Sequence, residues 1–134
     1  MWMLDTNTCV FLIKQRPPAV LDRMRSLDVA EVSVSAVTVA ELQFGVAKSA
    51  HAERNALALA AFLAPLTVEP FDDAAAEAYG SVRSTLERAG TPIGSMDLLI
   101  AAHALSLKRT LVTHNTREFR RVEGLALEDW VTDP

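Results

Sequence analysis

Residues 1–8, MWMLDTNT, pass from an apolar run to an acid and then to three cap-forming polar residues. A short apolar run bounded by turn formers is the pattern of a buried strand. Here it covers residues 1–5 and ends on Asp5. Thr6, Asn7 and Thr8 suit a helix start, and Cys9 to Ile13 then read as a first helical turn or two. Pro17 and Pro18 interrupt that helix. A proline is tolerated at a helix start, so a second helix is expected from Pro18 to about Leu27. Residues 31–34, EVSV, are β-branched and alternating, and predict a second strand.

The remainder of the chain continues the alternation. Ser35 is expected to cap a helix from Val37 to about Lys48, followed by an Ala- and Leu-rich helix over 52–64 that stops at Pro65. Leu66 to Glu69 reads as a third strand. Asp72 caps a long helix over about 73–89, with Gly90 just past its end. Ser95 is expected to cap a helix through about Leu107, and Thr110 to Thr113 reads as a fourth strand. A short helix over 115–121 and an edge strand within Leu125 to Trp130 complete the pattern. Strands that alternate with helices predict an α/β fold with a mainly parallel sheet covered on both faces. In such sheets ligands gather beyond the carboxyl ends of the strands.

The length of 134 residues fits one domain spanning 1–134. Half the residues are hydrophobic but only 6% are aromatic, so the core is expected to be aliphatic. The net charge of −4 argues against non-specific wrapping of nucleic acid. The one cysteine, Cys9, cannot form an internal disulfide. Neither a signal peptide nor a stretch long enough to span a bilayer is expected, and the default compartment is the cytoplasm.

Three acids fall where lone acids are costly. Asp5 ends the first strand; it is open to a capping role, but Thr6 and Thr8 beside it offer caps of their own. Glu41 shares a helix face with Val37 and Phe44, both expected to point into the core, which carries Glu41 inward or to the rim. Asp97 lies in the first turn of a helix that is apolar nearly all round (Met96, Leu98, Leu99, Ile100, Ala101, Ala102, Ala104, Leu105) and is therefore expected to be covered. Packed together, the three would repel and at least one would hold a proton. A hard divalent cation, Mg²⁺ or Mn²⁺, relieves that repulsion with oxygen ligands alone. Zinc finds no ligand spacing among Cys9, His51, His103 and His114.

Four motifs occur in order: Leu4-Asp5-Thr6-Asn7-Thr8-Cys9, Val39-Ala40-Glu41-Leu42, the segment Gly94-Ser95-Met96-Asp97-Leu98-Leu99-Ile100-Ala101-Ala102, and Val112-Thr113-His114-Asn115-Thr116-Arg117-Glu118-Phe119. This series resembles the PIN domain family, and more narrowly its VapC toxins of bacterial toxin–antitoxin pairs, from residue 3 to Trp130. The resemblance implies a three-layer α/β/α sandwich and an endoribonuclease dependent on Mg²⁺ or Mn²⁺. Asp5 and Asp97 would be the direct metal ligands, and Glu41 would complete the acidic cluster. Asn115 stands at the Asn of the last motif. Glu118 is the acid nearest the family's fourth position, open either to binding a second ion or to shaping the pocket. Thr6 and Thr113 would orient the cluster, and Arg117, Arg120 and Arg121 are the expected phosphate contacts. The chemistry implied is in-line attack of water on an RNA phosphodiester, leaving 5′-phosphate and 3′-hydroxyl ends.

The same resemblance implies a cognate antitoxin, a homodimer, and a partner groove built in part from Cys9 to Leu27, with Phe11, Leu12 and Met24 as candidate contacts. Cys9 in the opening motif and Glu128-Asp129-Trp130 at the end resemble the enteric subgroup, which cleaves initiator tRNA in the anticodon loop. His103, on an apolar helix face, is expected to be a packed core residue, and His114 is open to RNA contact. A phosphatase with Asp5 as nucleophile would want a second acid where Asn7 stands. A receiver domain would want an acidic pair on the first strand. A non-catalytic PIN-like binding module would be expected to have lost a central carboxylate, and a nuclease acting on DNA would share the same metal chemistry.

Overall fold

In the computed structural model, which describes residues 1–131, strand β1 (Trp2–Leu4) is the centre of the sheet. It pairs in parallel with β2 (Val32–Ser35) on one side and with β4 (Thr110–Val112) on the other. β3 (Thr67–Glu69) lies outside β2, and β5 (Leu127–Glu128) outside β4, both again parallel. The order is β3-β2-β1-β4-β5. The chain therefore builds outward from β1 in one direction, returns, and continues on the other side. The point where the order reverses lies between β1 and β4, and a crevice opens there beyond the strand ends.

The helices between strands are α1 (Thr6–Lys14), α2 (Pro18–Arg25), α3 (Ala36–Ala47), α4 (Ala52–Leu63), α5 (Asp73–Arg88), α6 (Ser95–Ser106) and α7 (Thr116–Phe119). Residue alternation along the strands divides the core in two. Leu4, Val34 and Val112 face α1 to α4, joining Cys9, Leu12, Val20, Leu42 and Leu59. Met3 and Leu111 face the opposite way, onto Val82 and Leu86 of α5 and Leu98, Ile100, Ala101 and Ala104 of α6. The result is the expected three-layer sandwich. Its sheet is parallel at every pairing.

α6 is covered as its composition predicts. Leu98 and every residue from Ile100 to Ala104 are buried. The three alanines in that run have no exposed surface, which lets the helix lie close to its neighbours. Element ends are set by the expected residues in most places. Ser35 Oγ accepts from Val37 N at 3.0 Å and starts α3. Asp72 Oδ1 accepts from Ala75 N at 3.0 Å and starts α5. Gly90, at φ 72°, lies just past the end of α5 in the left-handed region that favours glycine.

Two helix starts differ from the sequence reading. α1 begins at Thr6 with Asp5 itself as N-cap, so capping is not left to Thr6 or Thr8. α6 is preceded by Gly94 in extended conformation, and Ser95 is its first residue with no side-chain cap bond. α1 thus starts three residues before the expected Cys9, and the cap of α6 moves by one residue. Among the described residues, no helix is long and apolar enough to cross a membrane.

Candidate active site

Asp5 follows β1 directly, and its backbone N–H donates to Val112 O of β4 at 3.0 Å, which ties it to the crevice between the two strands. Its carboxylate is 3% exposed. Oδ1 accepts from Thr8 N at 2.8 Å, which is the cap bond, while Thr8 Oγ1 donates to Val112 O at 3.2 Å. Burial raises the Asp5 pKa, against the Thr113 hydroxyl and the Thr8 backbone and hydroxyl, which favour the charged form; Glu41 adds to the rise. Thr113 is fully buried at the end of β4 and also accepts from Asn115 N at 2.9 Å. Capping and cluster membership are therefore not alternatives for Asp5. One oxygen caps, and the carboxyl still lies within the field of its acidic neighbours.

Glu41 reaches the crevice from α3. Thr6 Oγ1 donates to its Oε1 at 2.5 Å. The reason for its placement is not the one the sequence suggested. Phe44 points to solvent, 66% exposed, and Val37 packs on the α5–α6 side. The residues that share Glu41's face are Thr38, one turn earlier and buried, and Gly45, one turn later on the wall of a cavity.

Asp97 enters from the first turn of α6 and is half-buried. Its pKa is pushed up from 3.8 to about 6, first by burial and then by the charges of Asp5, Glu41 and Glu118. A helix N-terminus favours a carboxylate, so these opposing effects outweigh the dipole. Glu118, on α7, accepts from Asn115 Nδ2 at 3.0 Å and faces the same cleft. The end of β1, α1, α3, α6, the β4–α7 turn and α7 thus deliver four carboxylates and three hydroxyls to one crevice.

Among the described residues, no three side chains of His, Cys, Asp or Glu form a closed metal cage. The acids surround the crevice instead of converging on one point. Soft ligands are unavailable there, since the Cys9 thiol is fully buried and burial holds its pKa well above the ordinary value. The donor set is oxygen alone.

Arg117 is exposed on α7, and neither it nor Arg120 makes an ion pair among the described residues. Arg121 Nη1 donates to the Pro92 carbonyl at 2.8 Å. His114 Nδ1 lies 3.0 Å from Asp129 Oδ2, with the ring edge-on to Phe11. His103 is buried as expected, 2.7 Å from Ser35 Oγ. Thr8 and Ser35 were not singled out as site residues by sequence. The three-residue spacing from Asp5 to Thr8 is a cap signal that would have found the first.

The model of the PIN domain family matches residues 2–125 of this chain. The chain belongs to the PIN domain family, on its VapC branch. It is 44% identical over 129 residues to a tRNA(fMet)-specific endonuclease VapC of Shigella flexneri, covering 96% of this chain and 97% of that protein. Among solved structures, VapBC2 of Rickettsia felis bound to a DNA fragment from their promoter superposes with a TM-score of 0.91 at 39% identity, covering 96% of this chain and 98% of the other. DNA-bound VapBC of Salmonella typhimurium gives 0.91 at 42% identity, with 96% and 97% covered.

Beside the acidic crevice this PIN domain carries an apolar cavity of about 300 Å³. Thr6 and Glu41 form its edge toward the acids, and Val10, Ile13 and Lys14 of α1 face Gly45 and Val46 of α3 and Ala58 of α4. The groove is therefore made by α1, α3 and α4. Of the contacts expected from sequence, Leu12 is buried in the core, and Phe11 and Met24 pack against it. None of the three lines the cavity, because the neighbouring positions Val10 and Ile13 occupy that side of α1.

Proposed function

We propose that this protein is a Mg²⁺- or Mn²⁺-dependent endoribonuclease and the toxin of a toxin–antitoxin pair. The observation that carries the reading is the raised pKa of Asp97, near 6, under the combined field of Asp5, Glu41 and Glu118. Four carboxylates in one half-buried crevice are an unfavourable arrangement unless a cation is bound there at least part of the time. An all-oxygen donor set fits a hard divalent ion. Mg²⁺ keeps several waters and needs only one or two carboxylates directly, so a closed cage is not required.

Asp5 and Asp97 are the residues assigned to hold the ion, with Glu41 and Glu118 at its periphery. When bound, the ion supplies Lewis-acid stabilisation of phosphodiester charge and a water of lowered pKa. The chain's own groups do the positioning. Thr8 N and Thr113 orient Asp5 and favour its charged form against burial. Thr6 fixes the rotamer of Glu41, and Asn115 fixes Glu118. Arg117 and Arg120 meet the RNA backbone beside the crevice. The similarity to the Shigella flexneri enzyme favours initiator tRNA as the substrate and the cytoplasm as the compartment. The solved VapBC relatives favour a cognate antitoxin, for which the α1/α3/α4 groove is the assigned seat, and a homodimeric toxin within that assembly.

Purified protein incubated with total tRNA and Mg²⁺ tests the reading. A discrete cut, abolished by EDTA and by Asp97→Asn, is expected. Cleavage that persists undiminished in EDTA would remove the metal from the mechanism. Folded, antitoxin-free protein that cuts no RNA would leave a non-catalytic binding module.

A further inference from the structure

The bond between His103 and Ser35 joins two helices that bring acids to the crevice. His103 is on α6 and 1% exposed; Ser35 is the N-cap of α3 and has no exposed surface. Their separation of 2.7 Å is a full hydrogen bond between residues 68 apart in sequence. Ser35 Oγ already accepts from Val37 N, so its own proton is available to His103 Nδ1. Nε2, on the other side of the ring, is buried with no hydrogen-bond partner among the described residues, so the Ser35 bond is the polar contact that holds the ring. Burial keeps the ring neutral, its pKa lowered against the opposing effects of Asp72, Glu69 and the Pro70 backbone and with a smaller push from Arg109. Phe71 stacks edge-on at 5.3 Å and closes the ring in place.

The spacing along the two helices gives this bond a consequence at the acidic centre. Glu41 is six residues beyond Ser35, and Asp97 is six residues before His103. At a helical rise of about 1.5 Å per residue, each carboxylate lies roughly 9 Å from the bond along its own helix. The spans match in length. Glu41 from α3 and Asp97 from α6 both reach the crevice. The helices are also packed directly, Val37 of α3 lying against the cluster that holds Leu98 and Ala101 of α6.

We propose that His103, acting through Ser35, is a positioning residue that sets α3 against α6, so that Glu41 and Asp97 face a common divalent cation at the right separation. The inference rests on the metal-centre reading above. His103 touches neither substrate nor ion. Its effect reaches the site only through the two helices, in the way outer partners orient the ligands of metal centres.

The test is Mn²⁺ affinity, read from the free-ion signal in electron paramagnetic resonance, on the intact chain without RNA. His103→Leu removes the bond and keeps the volume apolar. It is expected to weaken Mn²⁺ binding by roughly tenfold or more, the range seen for outer-shell changes. His103→Asn, whose side-chain amide places a polar atom near the Nδ1 position, is expected to restore part of that loss. In a Glu41→Gln background the His103→Leu loss is expected to shrink, because one of the two carboxylates whose separation it sets is gone. Ser35→Ala against Ser35→Thr repeats the comparison from the α3 side and decides the matter if His103→Leu does not fold. Unchanged Mn²⁺ affinity in folded His103→Leu overturns the proposal, and so does an equal loss with Glu41 replaced. Wild-type protein that binds no Mn²⁺ overturns the metal-centre reading itself, a result distinct from either.

Discussion

Thr6 Oγ1 donates a hydrogen bond to Glu41 Oε1, closing the crevice from α1 to α3. The two residues are 35 apart in sequence, and the same pair forms the edge of the apolar groove. A hydrogen bond to a charged group contributes about 1.5–3 kcal/mol. Thr6→Val keeps the shape and deletes the hydroxyl. Glu41 is half-buried and can turn to water, so the folding cost is expected to be small. Cleavage is expected to fall by roughly tenfold or more, since about 1.4 kcal/mol is one factor of ten in rate. Initial rates on tRNA, with urea midpoints alongside, separate the two. Full activity in Thr6→Val would mean that Glu41 needs no fixed rotamer.

Asp97 predicts a pH dependence of the metal-free protein. Its folded pKa of about 6 lies above the ordinary 3.8. The folded state therefore holds that proton more tightly than the unfolded chain does. The linked term is absent below about pH 4, grows as pH rises toward 6, and destabilises fully above it. Such a rise corresponds to roughly 3 kcal/mol at most, and to about 1–2 kcal/mol for a half-exposed group screened by water. Asp97→Asn without metal is expected to be the more stable protein by that amount at pH 7 and no more stable at pH 4. Saturating Mg²⁺ should raise the Tm of wild type well above that of the variant. A variant less stable than wild type at pH 7 in EDTA would contradict the crowded-acid picture.

Most of this centre was legible because it follows from chain order. Asp5 ends a strand, and Asp97 starts a covered helix. Those positions alone lead both to the crevice once the sheet is parallel. Glu41 was located correctly on a wrong premise, because helical spacing shows which residues share a face but not which face is buried. Phe44 was the largest apolar group on α3, yet the sheet lies under Thr38 and Leu42. The double role of Asp5 was missed because capping and cluster membership were weighed as rivals, although a carboxylate has two oxygens. The apolar cavity between α1, α3 and α4 was not foreseen for a related reason. Contacts between α1 and α4 depend on packing across 45 or so residues of sequence, which no local pattern encodes.

Glu128 predicts where the fold itself is most easily broken. It accepts from Trp2 Nε1 at 3.0 Å, Trp130 Nε1 at 2.9 Å and both Nε and Nη2 of Arg23 at 3.0 and 2.8 Å. One carboxylate thus joins β1, α2 and β5. Burial alone would raise its pKa, but the bonds from Trp2, Arg23 and Trp130 outweigh it and the net shift is downward from 4.5. The stabilisation is present above pH 4.5 and is lost as pH falls through the lower folded value. Glu128→Ala is expected to cost about 2–3 kcal/mol at pH 7, since it strands four donors on three residues in a partly exposed setting. Urea unfolding at pH 7 and at pH 3 checks this. A cost that does not shrink at the lower pH would mean that the carboxylate charge is not what holds these elements together.

Gly45 offers a way to separate cleavage from partner control. It lies within α3 on the wall of the apolar groove, and a Cβ placed there meets no atom within 4 Å. Gly45→Ala should stabilise the chain by about 0.5–1 kcal/mol, because alanine has the better helix propensity and the space is open. Gly45→Trp fills much of the roughly 300 Å³ between α1, α3 and α4 from the same position. The cavity's edge is Thr6 and Glu41, so cleavage of tRNA by the isolated protein is expected to fall modestly, by less than the change in inhibition. Inhibition by the cognate antitoxin, titrated into the same assay, is expected to weaken by an order of magnitude or more, because its apolar anchor loses its seat. Unaltered inhibition of an active, folded Gly45→Trp would place the antitoxin elsewhere on the surface and leave the groove as a packing defect between three helices.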